Sequence, residues 1–580
     1  MDMTKAETLR FLEGKLSFST VLPSVVFSVG EWRKTPSKIL SQIKEAFSGR
    51  HIIVRSSAIG EDSEKESQAG KFTSVLDIPS LEEERVKEAI EEVIGSYDGG
   101  DAHQILVQEF LTELEISGVV FTTVSKTKAP YYVINYDAEG KSDTVTSGSK
   151  GALRTYYYFK DSPYPPDNPV LERIIESVKE IEGIFPGKYL DIEFGVKKKG
   201  EIVIFQVRPA VVEEETSVPS RISLKNALDL LSRRITVSLD KHPGLCGSTG
   251  ILSVMTDWNP AEMIGRKPRA LALSLYKELI TDSVWAYQRH NYGYRNLRSF
   301  PLIISLIGQP YIDVRLSFNS FIPSRLNGDL ANRLVDYYVS ELRKSPEKHD
   351  KVEFDIVFSC YDLDINDRLK VLLEHGFTEL DLDRIKFSLL NLTNDVVSPN
   401  GLFWKDLAKL DILERKHKEI LSSSLPVLDK IYWLIENCKR YGTLPFAGLA
   451  RAGFIAVQML RSMVASGVIT DEESAAFLNS LNTVSKQLAH DFKMYRRGKI
   501  SKEKLMAKYG HLRPGTYDIR SKRYDMAFDS YFPPPSSENE GDDCNDGEEE
   551  FSFSSEVYAQ LDKALNDNGF LITGSDLVHL

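Results

Sequence analysis

The sequence predicts an α/β (α+β) domain at its N-terminal end, followed by a mostly α-helical domain. Over the first 210 residues, short β-rich runs alternate with amphipathic segments, which is typical of a mixed sheet with helices. Beyond residue 245 the pattern changes, and long stretches repeat apolar residues at helical spacing. The length of 580 residues also exceeds one ordinary hydrophobic core, so several domains are expected.

The first domain is predicted to span residues 1–217. Strands are expected where β-branched and aromatic residues cluster, at 52–54, 105–108, 118–122, 131–135 and 202–207. Two helix starts are also predicted. Thr35 followed by Pro36 suits an N-cap with proline at the first helical position, and Ser80 with Glu83 suits a capping box.

A linker is predicted at 218–245, and a mostly helical domain at 246–580. Helices are expected at 428–441, 446–466 and 471–496. Thr470 and Glu473 form a capping box before the last of these. The stretch 533–550 is rich in proline and then in acidic residues, which predicts a solvated or disordered loop.

The composition excludes several classes of protein. A net charge of −12 argues against nonspecific binding to nucleic acid or to an anionic membrane, which needs clustered lysine and arginine. The longest apolar run, 446–460, is interrupted by Arg451, and the N-terminus lacks the features of a secretory signal. We therefore expect a cytoplasmic protein. The four cysteines lie far apart and form no CxxC pair, so no structural zinc is expected.

Short polar segments at strand ends are the candidates for a functional site. They are Glu-Gly-Lys at 13–15, Val-Arg-Ser-Ser-Ala at 54–58 with Ala-Gly-Lys at 69–71, Val-Gln-Glu at 107–109, and Asp-Ile-Glu at 191–193 with Phe-Gln-Val-Arg-Pro at 205–209. Cations and glycine-rich backbone suit phosphate, and carboxylate and amide oxygens suit Mg²⁺. Taken singly, each segment also has an ordinary interpretation: a Gly-Lys turn with a solvated lysine, or a strand-end arginine in a surface salt bridge.

The order of these segments resembles the N-terminal ATP-binding domain of phosphoenolpyruvate synthase, pyruvate phosphate dikinase and rifampicin phosphotransferase. The likeness covers about residues 10–212 and includes Ser-Gly-Val-Val-Phe-Thr at 117–122. It implies an ATP-grasp fold, ATP and Mg²⁺ as ligands, and ATP-dependent phosphoryl transfer. Lys15, Arg55 and Arg208 would then be the catalytic cations, the first two binding the phosphates. Glu13 stands where these relatives usually have glycine, and this difference is unexplained.

The same resemblance implies the remaining ligands of ATP and Mg²⁺. Residues from Gly70 to Ser74 would form a glycine-loop lid, although Ser74 stands where the family often has threonine. Gln108 would contact the nucleotide at the hinge. Glu193 and Gln206 would offer oxygen ligands to Mg²⁺.

The second region lacks the phosphohistidine carrier of phosphoenolpyruvate synthase, because none of the ten histidines lies in a Gly-Gly-rich loop. The carrier is therefore expected either in trans or in a part missing from a truncated chain, and a strand-like run at 570–573 favours truncation. The motifs at 255–262 and 509–518 resemble glutamine-kinase-type proteins of bacterial capsule biosynthesis. These enzymes phosphorylate the amide nitrogen of L-glutamine and release AMP and phosphate.

Candidate substrate-binding residues lie in two stretches of the helical region. Arg289 and Tyr294 belong to a polar and aromatic stretch that suits a pocket for an amino-acid-like substrate, or else an amphipathic surface helix. Asp313, Arg315 and Asn319 alternate in a strand-like run; the first two could supply a carboxylate and a guanidinium for a zwitterion, or serve only the fold.

His511 and Arg513 lie in a glycine-containing loop after a helix, where functional residues are common. A histidine beside a phosphoryl acceptor suits a general base, and a tight turn with an Arg–Asp pair is the alternative.

The leading hypothesis is a dikinase-type phosphotransferase with L-glutamine as the favoured acceptor. Two alternatives remain open. The chain could be a direct small-molecule kinase that releases ADP, or an ATP-binding regulatory protein without catalysis.

Overall fold

The computed structural model describes residues 3–59, 72–137, 153–212, 220–513, 520–532 and 551–580. The chain divides into two units, Met1–Leu230 and Leu231–Leu580. The division falls inside a helix, Arg221–Leu239, that occupies much of the segment predicted as a linker. Gly70 and the loop 533–550 lie outside the described residues.

Two sheets form the framework of the first unit. The strands are β1 Thr20–Val21, β2 Ser24–Ser28, β3 His51–Ser57, β4 Ser74–Pro79, β5 Gln104–Glu109, β6 Leu114–Phe121, β7 Tyr131–Asp137, β8 Leu153–Phe159, β9 Leu190–Lys197 and β10 Ile202–Pro209. The four-stranded sheet is antiparallel, with the order β2-β5-β3-β4. The six-stranded sheet has the order β1-β10-β9-β6-β7-β8, in which only the β1–β10 pair is parallel. All five predicted strands are confirmed, as β3, β5, β6, β7 and β10. The strands β1, β2, β4, β8 and β9 escaped prediction.

Five helices cover these sheets in the described part of the unit. They are α1 Lys5–Leu12, α2 Val29–Lys34, α3 Pro36–Ala46, α4 Glu83–Gly95 and α5 Pro169–Ile184. One core packs α3 and α4 on the four-stranded sheet, through residues such as Ile43 and Ile90. The other packs α1 and α5 on the six-stranded sheet, through residues such as Leu9 and Ile174. Burial of these apolar faces leaves the opposite face of the six-stranded sheet to polar side chains.

Two predicted helix caps in the first unit are wrong in detail. Pro36 does begin α3, but the Thr35 hydroxyl donates to the Glu31 carbonyl of the preceding turn and caps nothing. The Ser80 hydroxyl donates to the Phe47 carbonyl, and α4 begins at Glu83 without a side-chain cap. Thr35 thus bonds back to the preceding helical turn, and Ser80 bonds to a carbonyl distant in the sequence, so neither hydroxyl is left to cap the helix that follows it.

The second unit is mostly helical. Its α-helices after α6 (Arg221–Leu239) are α7 Pro260–Met263, α8 Ala270–Tyr276, α9 Val284–Asn291, α10 Val314–Asn319, α11 Gly328–Lys344, α12 Val352–Asp355, α13 Ile365–Arg368, α14 Glu379–Val397, α15 Leu402–Leu407, α16 Lys409–Ser422, α17 Val427–Asn437, α18 Leu444–Ala465, α19 Asp471–Ser480, α20 Val484–Arg496, α21 Lys502–Tyr509, α22 Phe528–Tyr531, α23 Ser555–Asp567 and α24 Gly574–His579. Its 3-10 segments are Pro346–Asp350 and Leu369–His375, and its π-helical segments are Lys277–Thr281 and Cys438–Thr443.

A small sheet that the sequence did not reveal lies within this helical unit. It has the order β11-β13-β12, from β11 Leu252–Ser253, β12 Ile303–Leu306 and β13 Gln309–Asp313. The main core of the unit packs α11, α14 and α18 together, with residues such as Leu334, Leu389 and Ile455 at its centre.

The predicted helices of this unit are found, with changes at their ends. The capping box of Thr470 and Glu473 is confirmed at the start of α19. The single helix expected at 471–496 is wrong, because α19 stops at Ser480 and Thr483 caps a new helix, α20. In the described segment 551–580, no strand forms at 570–573, where Phe570 packs into the helical core instead.

One helical stretch, Val427–Ala465, is long and apolar enough to cross a membrane by length and composition alone. It joins α17, a π-helical segment and α18. Within it, Arg451 is buried against Glu353 of the same unit, a contact typical of a core helix.

Candidate functional site

A cavity of about 820 Å³ lies between the two sheets of the first unit. It is bounded by β3, β4 and β5 on one side and by β6 to β10 on the other, with α1 at its edge. The structure brings six predicted site residues to its wall: Arg55, Ser74, Gln108, Glu193, Gln206 and Arg208. Residues far apart in the sequence, such as Arg55 and Arg208, therefore face one space.

The strand register aligns the polar residues of this wall in rows. One row crosses five neighbouring strands and contains Gln206, Glu193, Val119, Asn135 and Thr155. Arg208, Asp191 and Phe121 form the next row on the same face, two residues along each strand. The intervening side chain of Ile192 points the other way, into the core, as the two-residue period of a strand requires.

Asn135 and Thr155 are cavity residues that sequence reasoning missed. The Thr155 hydroxyl donates to the Asn135 side-chain oxygen at 2.8 Å. Asn135 ends a predicted strand, but its pairing partners depend on a register that the sequence alone did not establish. With the register known, the alignment of Asn135 and Thr155 with Glu193 would have identified both as cavity residues.

A β-bulge near Phe205 shapes the centre of the site. The register between β10 and β9 shifts between Ile204 and Gln206. Bulges occur next to active sites, where they redirect a strand. Here the freed Phe205 carbonyl accepts a hydrogen bond from Arg55 Nη1 at 3.0 Å, which links the two sheets.

Arg55 is the central cation of the cavity. Its Nη2 donates to Glu193 Oε2 at 3.1 Å and to Gln206 Oε1 at 3.4 Å. The side chain is 13% exposed, so its position is fixed by these contacts and by the bulge. A planar guanidinium held in this way suits the binding of phosphate oxygens.

Glu193 keeps its negative charge in this setting. Burial opposes ionisation, but the positive charges of Arg55, Lys5 and Arg208 outweigh it and hold the pKa of Glu193 below its ordinary 4.5. The carboxylate is therefore ionised at neutral pH.

Arg208 forms the second ion pair of the wall. Its Nε and Nη2 both contact Asp191 Oδ2, at 2.9 and 2.8 Å. Asp191 is 8% exposed and Arg208 is 21% exposed, so the guanidinium keeps one side open to the cavity.

The lysine that lies near the arginines expected to bind phosphate is not the one that the sequence motif indicates. Lys15 is exposed, and its Nζ lies 3.2 Å from the centre of the Phe11 ring, outside the set of cavity residues. Lys5, on the first turn of α1, is 6% exposed and lines the cavity. We infer that α1 brings Lys5 into the position expected for Lys15, since Gly14 turns the chain away after the helix with φ 71°.

Gln108 and Ser74 belong to the part of the cavity wall that the four-stranded sheet forms. The Gln108 amide is buried and donates to the Leu22 carbonyl at 3.4 Å. Ser74 on β4 pairs with Arg55 on β3, so this hydroxyl-bearing residue lies beside the central cation. The predicted lid begins at Gly70, which lies outside the described residues, so only its Ser74 end is observed.

The oxygens of Glu193 and Gln206 fit a magnesium ion. A carboxylate that stays ionised and an amide oxygen are hard ligands of the kind that Mg²⁺ binds. The Arg55 guanidinium contacts both oxygens and supplies the positive charge that they attract. These two residues would therefore hold the ion, and Arg55 would be released toward phosphate.

The predicted substrate residues of the second unit mostly serve the fold. The Tyr294 hydroxyl donates to the Ser359 carbonyl at 2.7 Å inside the core. Asp313 ends β13 and caps α10 by accepting from Leu316 N. Arg315 is on α10, not in a strand, and donates to the Asp240 and Ser238 carbonyls at the end of α6.

His511 and Arg513 follow α21 and lie next to a stretch, 514–519, outside the described residues. His511 is exposed and Arg513 is half-buried.

Arg289 is the predicted substrate residue that the structure brings to other charged groups. It is buried beside Asp257 and Glu353, with Arg451 on the far side of Glu353. Sequence reasoning missed the last two as members of a site, because they lie on α12 and α18 and only packing brings them together. Asp257 lies within the 255–262 motif, which was the available signal.

The fold and the cavity define the first unit as an ATP-grasp nucleotide-binding domain. Residues 31–137 match the family model of the pyruvate phosphate dikinase AMP/ATP-binding domain. This part of the chain therefore has the sequence features of an ATP-binding module. A search of curated proteins found no match.

Solved structures with some likeness are ligases and synthetases by name. D-alanyl-alanine synthetase A of Vibrio cholerae is 15% identical, with a TM-score of 0.24, over 36% of this chain and 55% of that one. The VanG D-Ala:D-Ser ligase of Enterococcus faecalis is 15% identical, with a TM-score of 0.21, over 35% and 50%. N5-carboxyaminoimidazole synthetase of Staphylococcus aureus is 11% identical, with a TM-score of 0.21, over 37% and 45%. The matched region spans about half the length of these proteins.

Proposed function

We propose that this chain transfers phosphoryl groups from ATP to a small molecule, with ATP bound in the cavity of the first unit. The observation that carries the proposal is the composition of the cavity wall. Arg55, Arg208 and Lys5 supply cations, and Glu193 and Gln206 supply metal-ligand oxygens beside them. Phosphoryl transfer needs this combination, because catalysis rests on positioning the phosphates and neutralising their charge.

Each residue has a distinct part in the proposed reaction. Glu193 and Gln206 would hold Mg²⁺, which would supply positive charge to neutralise the phosphates. Arg55 turns from these oxygens to the phosphates, and Arg208 stabilises the charge that develops on the group in transfer. Gln108 contacts the nucleotide at the hinge.

The finer proposal is a dikinase reaction. A carrier histidine attacks the β-phosphorus of ATP, AMP leaves, and the histidine bears the pyrophosphoryl group. Hydrolysis then releases phosphate, and the remaining phosphoryl group passes to the acceptor. The order of motifs over residues 10–212 and the dikinase-type family match support this route. The carrier would be a separate domain or protein.

L-Glutamine is the acceptor that we favour. The support is the likeness of the segments 255–262 and 509–518 to glutamine-kinase-type sequences. The product would carry phosphate on the amide nitrogen, for use in capsular polysaccharide. The proposed location is the cytoplasm.

The test is product analysis. The chain is incubated with ATP, Mg²⁺ and glutamine, with and without a phosphohistidine domain in trans, and AMP is resolved from ADP. Carrier-dependent AMP supports the dikinase reaction. Carrier-independent ADP would replace it with a direct kinase, and ATP binding without turnover in either mixture would favour a regulatory protein.

Arg208→Ala tests the site itself. We expect loss of turnover, because the cation nearest to the proposed transfer is removed. Arg221→Ala is the matched control, since Arg221 pairs with Asp161 in an exposed Arg–Asp contact that does not line the cavity. Retained turnover in Arg208→Ala would refute the assignment.

A further inference from the structure

A buried network of four charges lies in the second unit, apart from the residues so far assigned to ATP. Arg289 Nη2 is 3.2 Å from Asp257 Oδ1 and 4.0 Å from Glu353 Oε1, and Arg451 Nη1 is 2.5 Å from Glu353 Oε2. All four side chains are at most 12% exposed. Both guanidinium groups also lie over the ring of Phe321, at 4.8 and 4.9 Å. Charges are rarely buried without a reason, because their desolvation is costly.

The turn that carries Asp257 is strained. Asp257, Trp258 and Asn259 have φ values of 57°, 54° and 27°, in a region that residues with a side chain seldom adopt. Three such residues in succession store conformational energy, and strain of this kind collects at ligand-binding and catalytic sites. The turn directs the Asp257 carboxylate inward, where it accepts from the Ser317 hydroxyl at 2.9 Å.

The next residue in the turn faces an exposed edge. The ring of Trp258 lies 6.2 Å from that of Phe446, which is 58% exposed. The buried network therefore lies one residue away from an aromatic pair at the surface of the unit. This pair marks the side from which a small molecule could reach Asp257.

Two buried donors beside the network have no partner. The Gln288 amide is 1% exposed; its oxygen accepts from Arg289 Nη1 at 3.4 Å, and its Nε2 is unsatisfied. Arg451 Nε is also buried without a hydrogen bond. An unmade hydrogen bond at a buried donor is costly, so both atoms would gain from binding an acceptor.

Arg289 itself is loosely held for a buried guanidinium. Its contacts to Asp257, Ser320 and Gln288 measure 3.2, 3.4 and 3.4 Å, and that to Glu353 measures 4.0 Å. Charge-assisted hydrogen bonds are commonly about 2.7–2.9 Å. A ligand acceptor that binds the guanidinium at a shorter distance would therefore offset the loss of these contacts.

Both helices that bear the arginines follow π-helical segments. Lys277–Thr281 precedes α9, which carries Arg289, and Cys438–Thr443 precedes α18, which carries Arg451. Lys439 and Glu278 join the two segments by an ion pair of 2.7 Å. Such segments occur mostly at functional sites, where they adjust the direction of a helix.

The charge balance of the network argues against a ligand that carries a net charge. Two guanidinium groups and two carboxylates cancel, so a ligand with a single net charge would leave one buried charge uncompensated. A molecule with both a carboxylate and an ammonium group keeps the balance. The ligand carboxylate can bind Arg289 and the Gln288 amide, and the ligand ammonium group can pair with Asp257 and Glu353.

We propose that Asp257, Arg289 and Glu353 form a binding site for a small zwitterion of the α-amino-acid class, with Gln288 and Arg451 as supporting donors. This site is the acceptor site of the second unit, a role that rests on the proposed phosphotransferase function. This site takes the place of the one predicted at Asp313 and Arg315, because both of those side chains form hydrogen bonds with backbone groups.

The first experiment measures binding to the full chain without ATP. Thermal-shift and calorimetric titrations are made with each proteinogenic L-amino acid. The best binder is then compared with its decarboxylated amine and its deaminated acid. We expect one or a few amino acids to bind and both analogues to lose at least about 30-fold in affinity, because each leaves a buried charge unpaired. Absence of binding by every amino acid, or equal binding of an analogue, would overturn the proposal.

The second experiment changes the charge of the network. Asp257→Asn leaves one positive charge in excess, so the acid analogue should now bind better than the zwitterion. Arg289→Gln leaves one negative charge in excess and should favour the amine. A residue with a purely structural role would weaken all three ligands together, and that result would count against the site.

Arg333→Gln is the matched control, because Arg333 pairs with Asp381 in the same unit without contacting the network. It should leave the order of the three ligands unchanged. Release of AMP or ADP is measured separately: amino-acid binding without ATP turnover would refute the proposed function and keep this site, whereas turnover without amino-acid binding would do the reverse.

Discussion

Removal of the central cation gives the sharpest test of the ATP cavity. Arg55→Gln keeps a polar side chain but removes the charge that faces Glu193 and Gln206. A hydrogen bond to a charged group contributes about 1.5–3 kcal/mol, which corresponds to about 10- to 150-fold in affinity. The substitution also leaves the Glu193 carboxylate facing the phosphates with less compensation. We therefore expect ATP to bind at least about tenfold more weakly.

A double variant separates the two contributions. Arg55→Gln with Glu193→Gln removes the uncompensated anion as well as the cation. In the presence of a chelator, this double variant should bind ATP more tightly than Arg55→Gln alone. The coupling between two residues in direct contact is what a double-mutant cycle measures.

The assay is isothermal titration of a non-hydrolysable ATP analogue, with and without Mg²⁺. Arg33→Gln serves as control, because Arg33 pairs with Asp101 at an exposed position of the same unit. If Arg55→Gln binds the analogue as tightly as the control does, Arg55 does not contact phosphate. If the double variant is no tighter than the single one, Glu193 does not face the nucleotide.

Three further predictions concern other parts of the molecule. Lys5→Met should weaken ATP binding by about tenfold, whereas Lys15→Met, which removes an exposed charge, should have an effect near zero; equal effects in titration would contradict the position of Lys5. The depressed pKa of Glu193 contributes stability that is complete above its ordinary 4.5 and is lost as pH falls through the folded value. Urea melts of the chain and of Glu193→Gln should therefore converge as pH falls below that range, and a constant gap would contradict the ion pair. Gly448→Ala should destabilise the second unit by about 1–3 kcal/mol in thermal melts, because the added Cβ would lie 2.0 Å from Asp406 Oδ2. Gly453→Ala, on the same helix, adds its Cβ into open space and should be neutral or stabilising.

Half of the strands of the first unit were predictable from clustered β-branched and aromatic residues, and most of the cavity residues were indicated by the family order of the motifs. Asp191 and Glu193 alternate with Ile192, and Gln206 and Arg208 alternate with Val207, so each motif indicates which side chains share a face. What the sequence did not supply was the register. Asn135 and Thr155 join the row of Glu193 only through pairings across β6, β7 and β8.

Lys5 shows a second limit of motif reading. The Gly-Lys at 14–15 fits the family order, yet the helix that ends just before it presents an earlier lysine to the cavity. Burial of Leu9 and Leu12 against the six-stranded sheet fixes the orientation of α1, and that orientation brings Lys5 inward. Motif order identifies a region, and packing decides which side chain of the region reaches the site.

The helical unit was harder to interpret because its charged residues meet through tertiary packing alone. Asp257 belongs to a turn, Arg289 to α9, Glu353 to α12 and Arg451 to α18, and no sequence period relates them. Arg451 was taken as an interruption of an apolar run, whereas the structure shows it fully buried and paired. Its burial is tolerated because Glu353 and Phe321 surround the guanidinium, and the same surroundings connect it to Arg289. An arginine inside an apolar helix therefore predicts a buried acidic partner elsewhere in the chain, and finding that partner leads to the charge-balanced network where an acceptor with both charges fits.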